Sequence, residues 1–164
     1  MTVPAGVLLF AMIAAGPPAP AAVGLAAPPN GALAIVVHRS NPTDDLSLDE
    51  LRSLFLGERQ RWPNGRRITL VLQEPGQPER AAALQLIYRM TEAELSHHFL
   101  RAVYHGQAVS APKTLSSAER VLRFVFNVPG AIACVPARDV DGTVKVLRVD
   151  GRPPADAGYP LRLP

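Results

Sequence analysis

Cysteine, aromatic residues and strong net charge are all scarce in this chain of 164 residues. Cys134 is the single cysteine, so no disulfide can form within the chain. It lies in an apolar run, where we expect a buried and unreactive thiol. Aromatic residues make up 5% and the formal net charge is +3, too little for the stacking platforms and basic surfaces that bind nucleic acids. We therefore predict no nucleic-acid partner.

The motifs of common catalytic and metal sites are also missing. There is no Gly-x-Ser-x-Gly and no Gly-x-x-x-x-Gly-Lys-Ser/Thr. His97, His98 and His105 fall in one predicted helix, but no carboxylate or cysteine completes a metal-ligand pattern around them. We expect no enzymatic activity, no metal ion and no cofactor.

No charged side chain precedes Arg39. The apolar run 7–15 ends at Gly16-Pro17-Pro18 and is shorter than the roughly 20 residues of a spanning helix. It resembles the apolar centre of a secretory signal, although no Lys or Arg precedes it. We expect residues 1–26 to direct export to the periplasm or the medium. The alternatives are a disordered Ala/Pro-rich leader and an uncleaved leader that anchors the protein in the membrane.

Apolar runs and amphipathic helical patterns alternate between residues 27 and 150. Strands separated by helices, with nearly continuous apolar runs, are typical of a mainly parallel sheet flanked by helices. We predict one α/β domain over 27–150, followed by an irregular proline-rich tail over 151–164. The predicted strands are 32–38, 68–72, 131–135 and 144–149, and the predicted helices are 47–57, 79–90, 91–106 and 116–127.

Local signals fix several of these boundaries. The pairs Ser47/Glu50, Thr91/Glu94 and Ser116/Glu119 have the spacing of a capping box and predict three helix starts. Asp141-Gly142 is typical of a hairpin turn and predicts that the last two strands pair with each other.

Four arginines surround Trp62, the only tryptophan. One interpretation is a patch that binds phosphate or lipid headgroups. The other is a solvated turn in which the guanidinium groups stack on the indole. The four are Arg59, Arg61, Arg66 and Arg67.

The order of several motifs resembles that of the phosphate ABC transporter substrate-binding proteins. These motifs are Asn41-Pro42, Leu54-Phe55-Leu56-Gly57, Trp62 and Pro129-Gly130-Ala131-Ile132. The resemblance implies the fold of one lobe of a type II periplasmic binding protein. Members of that family close two lobes on a small anion, so it also implies a small oxyanion such as phosphate as the ligand. The implied partners are a membrane transport or envelope protein, or a second copy of the chain in a homodimer.

The resemblance places the ligand at the end of the second predicted strand. There the family has Arg-x-Asp-Gly-Ser-Gly-Thr, whereas this chain has a segment that begins at Gln73-Glu74. Matching by position gives Gln73, Gly76 and Gln77 as ligand-binding candidates, with Arg80 as a displaced cation.

This segment is poorly suited to an anion. Amides at a helix N-terminus favour anions, but Pro75 and Pro78 have no amide donor. Glu74 and Glu79 would repel phosphate, because a carboxylate about 4 Å from it costs about 4 kcal/mol at an effective dielectric of about 20. We therefore expect a non-enzymatic solute-binding-type domain that binds an anion weakly. The alternative is a ligand-free interaction or scaffold module that works through a protein partner.

Overall fold

The structure is a computed structural model that describes residues 31–107 and 109–162. The predicted leader, residues 1–26, lies outside the described residues. The fold over the remainder consists of one sheet with helices packed on it.

One sheet of six strands forms the centre, in the order β2-β6-β1-β5-β3-β4. β3 pairs in parallel with β4 and β5, and β2 pairs in parallel with β6, whereas β1 is antiparallel to β5 and β6. Only β1 is therefore reversed, which confirms the mainly parallel α/β sheet. In chain order the strands are β1 (Leu33–Val37), β2 (Asp45–Leu46), β3 (Thr69–Gln73), β4 (Lys113–Leu115), β5 (Ala131–Pro136) and β6 (Lys145–Val149).

The predicted hairpin between the last two strands is wrong. β1 lies between them, with Val36 opposite Ala133 on one side and Val146 on the other. Every residue of β1 is buried, and such a strand needs neighbours on both edges and cover on both faces. The segment after β5, a 3₁₀ turn at Ala137–Asp139 and the loop beyond it, therefore crosses β1 instead of turning back on β5.

Within the described part of the chain, four α-helices connect the strands. The capping box at Ser47 is confirmed: the Glu50 amide donates to the Ser47 hydroxyl at 3.2 Å, and the Ser47 amide donates to the Glu50 carboxylate at 3.0 Å. The capping box between Thr91 and Glu94 is confirmed in the same way. The helices are α1 (Leu48–Phe55), α2 (Pro78–Ala83), α3 (Glu92–Tyr104) and α4 (Ala118–Asn127).

The third predicted capping box is wrong by one residue. Ser117, not Ser116, caps α4 and accepts a hydrogen bond from the Arg120 amide at 3.3 Å. Arginine has no acceptor atom, so the reciprocal half of the box cannot form.

The predicted helix 79–90 is an α-helix only in its first part. After α2 the chain continues as a π-helical turn, Leu84–Tyr88, and leaves it at Arg89 with φ 54°. Ile87 and Tyr88 are buried in this turn, and the Tyr88 ring makes an edge contact with Phe55, with ring centroids 5.7 Å apart.

Trp62 is a core residue, not a stacking surface for exposed arginines. It is 3% exposed, and its indole Nε1 donates to the Gly130 carbonyl at 3.1 Å. A Cβ at position 130 would collide with the Arg67 carbonyl oxygen. The Trp62 and Gly130 motifs that carry the family resemblance therefore hold the start of β5 against the turn before β3.

The tail has an irregular backbone, but part of it belongs to the core. Tyr159 and Leu161 are buried, and the Leu33 amide donates to the Leu161 carbonyl at 2.9 Å. The tail therefore covers the start of β1.

Candidate functional site

The carboxyl ends of β3, β4 and β5 meet at one edge of the sheet, because these three strands are parallel neighbours. This edge, which we call the mouth, is where open α/β sheets usually bind ligands. Gln73 is the last residue of β3 and residues 74–77 follow it, Ser117 follows β4, and Arg138 follows β5.

Gln73 lies at the floor of the mouth. It is 4% exposed, and its carbonyl accepts a hydrogen bond from Arg80 Nη1 at 2.9 Å. Its side-chain Nε2 is buried and has no hydrogen-bond partner among the described residues. The sequence placed Gln73 at this position, but burial leaves little of its side chain accessible from outside.

Gly76 and Gln77 form the turn between β3 and α2. Gly76 is exposed and has φ 92°, a conformation that glycine adopts without strain. Gln77 is the N-cap residue of α2, but its side chain makes no capping hydrogen bond. Pro78 has no amide, and the Arg80 amide donates to the Gln77 carbonyl at 3.1 Å. In the first turn of α2, the amide of Glu79 is therefore the main hydrogen-bond donor that an anion could reach.

Arg80 is buried at the back of the mouth and is paired with Glu92, the first residue of α3. Nε donates to one carboxylate oxygen of Glu92 at 2.8 Å, and Nη2 donates to the other. These hydrogen bonds lower the pKa of Glu92 and raise that of Arg80. The predicted displaced cation is present, but an internal carboxylate already neutralises it.

Arg138 is a second cation at the mouth that our sequence analysis missed. Its guanidinium contacts Glu79 at 3.5 Å and Asp139 at 3.7 Å. Its position two residues after the end of β5 could have revealed it, since the ends of parallel strands meet at one edge.

Carboxylates outnumber arginines at the mouth. Arg80 and Arg138 are accompanied by the carboxylates of Glu74, Glu79, Glu92 and Asp139, which makes two positive charges against four negative ones. Such a surface repels anions at long range and holds its own cations in internal ion pairs.

Other chemistry receives little support from the described residues. Cys134 is 2% exposed, as expected from its apolar run, and burial raises the pKa of its thiol to about 12, which disfavours the reactive thiolate. Within residues 31–107 and 109–162, no group of three His, Cys, Asp or Glu side chains could hold a metal ion. No helix in that part of the chain has the length and apolar character needed to cross a bilayer.

No family model matches the chain. Solved structures of phosphate-binding proteins do resemble it. An ABC-type phosphate transport receptor from Vibrio cholerae matches with a TM-score of 0.67 and 20% identity, over 82% of this chain and 54% of that one. The phosphate-bound structure of a proposed phosphate ABC transporter substrate-binding protein from Clostridium perfringens gives 0.61 and 20%, over 74% of this chain and 46% of that one.

PstS from Borrelia burgdorferi is a third such structure, with a TM-score of 0.59 and 14% identity, over 74% of this chain and 48% of that one. The chain thus spans about half the length of each of these proteins. At such low identity the likeness concerns the fold, and the chain has the fold of one lobe of the substrate-binding proteins of phosphate ABC transporters.

Proposed function

We propose that this protein is an exported, non-enzymatic solute-binding-type domain whose mouth binds small oxyanions such as phosphate only weakly. Gln73, Gly76, Gln77 and Arg80 would form the contacts. The fold likeness supports a solute-binding-type domain. The observation that carries the weak affinity is the bidentate pairing of Arg80 with Glu92.

An oxyanion has two ways to reach Arg80, and both are costly. It can displace Glu92, which breaks two charged hydrogen bonds that contribute about 1.5–3 kcal/mol each. Alternatively it can bind beside Glu92, where repulsion at about 4 Å costs about 4 kcal/mol at an effective dielectric of about 20. Either cost exceeds the binding free energy that hydrogen bonds from a few amide donors at the mouth would contribute. We therefore expect dissociation constants in the millimolar range or weaker.

Calorimetric titration with phosphate and with sulfate tests this proposal. We expect no measurable heat of binding for the wild type at micromolar ligand. Glu92→Gln should bind at least about tenfold more tightly, because it frees the charge of Arg80. Glu119→Gln is the matched control, since it removes one negative charge that is paired with Arg123 and not with Arg80.

Two results would contradict the proposal. Micromolar binding by the wild type would show that the mouth is an effective anion site despite its carboxylates. A folded Glu92→Gln protein with no gain in affinity would show that Arg80 does not limit binding.

The second candidate is an interaction module that works through a protein partner, such as a membrane transport or envelope protein. Among the described residues, four large apolar side chains are strongly exposed, and three of them lie close together on α3. They are Leu100, Val103 and Tyr104. Clustered exposed apolar residues are typical of interaction surfaces.

A further inference from the structure

A groove of about 350 Å³ lies between α3 and the segment that leads into β4. One wall consists of Leu95, Phe99, Leu100 and Val103 from α3, and the other includes Pro112 and Thr114. The groove lies beside the edge strand β4 and shares Arg80 with the mouth, and most of its lining is apolar. It has room for a few side chains of a partner but not for a folded element.

The backbone beside the groove is open for pairing. β4 is the last strand of the sheet, and among the described residues its sheet partner is β3. The Glu74 amide donates to the Leu115 carbonyl at 3.0 Å, so the backbone groups of Leu115 face β3. Because these groups alternate in direction along a strand, those of Thr114 face outward. Thr114 lines the groove as well, so one residue joins the free edge to the apolar surface.

The groove carries no net charge. Arg80 is the only charged residue that lines it, and Glu92 neutralises this arginine. The ammonium group of Lys113 lies over the Phe124 ring of α4 at 5.1 Å, on the other face of β4. A matching occupant is therefore uncharged and apolar.

Exposed apolar residues extend the surface beyond the groove. Leu100 is 67% exposed and Val103 is 56% exposed, and both contribute to the groove wall. Tyr104, at 89%, follows directly on α3. A small molecule in the groove would leave much of this surface in water, whereas a polypeptide could cover it.

We propose that this groove binds an extended, uncharged, apolar peptide segment of a partner protein, which pairs with the outer edge of β4 at Thr114. Main-chain hydrogen bonds to Thr114 would hold the segment, and alternate side chains would enter the groove, as in other cases of strand addition. β4 is three residues long, so the segment is short. This inference rests on the second proposed function, the interaction module, and does not require the mouth to bind an oxyanion.

Selection from a phage-displayed library of random seven-residue peptides on the purified protein identifies a probe. We expect enriched sequences with Val, Ile, Leu or Phe at alternate positions and no charged residue. The consensus, synthesised with fluorescein, is then measured by fluorescence anisotropy. Its dissociation constant should change by less than about twofold between low and high salt, since no charge pair contributes.

Two pairs of variants then locate the site. Thr114→Pro removes the outward amide and should weaken peptide binding at least about tenfold, whereas Thr114→Val keeps the amide and should bind within about twofold of the wild type. Leu100→Asp should weaken binding at least about tenfold. Phe126→Asp is its control, because Phe126 is 50% exposed on α4, outside the groove, and should have no effect.

Melting curves by circular dichroism show which variants are folded. If Thr114→Pro does not fold, methylation of alternate backbone amides of the peptide tests the same hydrogen bonds on the wild-type protein. Loss of binding on methylation supports strand addition, and unchanged binding overturns it.

The failures of the two proposals can be told apart. If peptides bind but neither Thr114→Pro nor Leu100→Asp weakens them, this site is wrong while the interaction module stands. If charged peptides are enriched, the proposed chemistry is wrong. If no peptide is enriched, both proposals fail. A wild-type dimer that Leu100→Asp converts to monomers would show that a second copy occupies the surface and would overturn the peptide proposal.

Discussion

Arg80 brings a positive charge into the interior between β3 and α3, where an unpaired charge would be strongly unfavourable. Its side chain is 10% exposed, whereas that of Glu92 is 40% exposed. The carbonyl of Gln73 accepts a further hydrogen bond from the same guanidinium. The pair therefore stabilises the fold, because it joins the end of β3 to the start of α3.

The stability contributed by this pair should depend on pH in a defined direction. Hydrogen bonding to Arg80 lowers the pKa of Glu92 below its ordinary value of 4.5. A carboxyl group with a depressed pKa in the folded state stabilises the protein above its unfolded pKa, and this stability is lost as the pH falls through the folded pKa. We expect Glu92→Gln to lower the free energy of unfolding at pH 7 by about 1 kcal/mol, a low figure because water screens the exposed carboxylate.

Urea unfolding of the wild type and Glu92→Gln at pH 7 and at successively lower pH measures this difference. It should shrink as the pH falls below about 4.5. The difference between the two proteins isolates Glu92 from the other carboxyl groups with lowered pKa values, such as Glu50 and Asp141. A difference that stays constant with pH would show that the pair makes no ionic contribution.

The sequence predicted the individual residues of the mouth better than their pairing. The family resemblance together with the position of β3 places Gln73 and Arg80 at the mouth, and the repulsion by Glu74 and Glu79 stays a prediction from their charge. The partner of Arg80 could not be placed in this way, because Glu92 is twelve positions further along. A π-helical turn and a left-handed residue at Arg89 intervene, and no periodicity in the sequence indicates them.

Among the elements, helix starts were the most predictable features, since a capping box is a local signal. α4 shows where that signal becomes ambiguous. Ser116 and Ser117 are adjacent, and Glu119 favours Ser116 as the first member of a box, but the structure places the cap at Ser117. The short strands β2 and β4 were missed because segments of two and three residues cannot show alternation.

A pair of alanine variants checks the cap of α4. Ser117→Ala should lower the free energy of unfolding by about 1 kcal/mol, because the Arg120 amide loses its acceptor. Ser116→Ala should change it by less than about 0.5 kcal/mol, since surface positions without such contacts usually have small effects. Thermal unfolding of both variants gives the comparison, and a larger loss for Ser116→Ala would place the helix start one residue earlier.

For the whole molecule, the class of the sheet was predictable and the order of its strands was not. Apolar runs separated by helices indicated a mainly parallel sheet, but they do not reveal that β1 is reversed and lies between β5 and β6. The core also extends beyond the segment that the hydrophobic pattern marked, because Tyr159 and Leu161 follow a proline-rich stretch with no periodicity. Long-range pairing decides both features, and a local pattern carries little information about it.

The docking of the tail leads to a prediction for the stability of the domain. Leu161 is completely buried, and its carbonyl accepts the Leu33 amide at the start of β1. Leu161→Ala would leave a cavity against the central strand and should lower the free energy of unfolding by about 2–5 kcal/mol. Leu100→Ala deletes the same atoms at an exposed position and should change it by less than about 0.5 kcal/mol.

Because the total stability of a domain of this size is about 5–15 kcal/mol, Leu161→Ala should also lower the melting temperature by several degrees. Equal effects of the two variants in urea unfolding would mean that the tail does not pack on β1, and the folded unit would then end near β6.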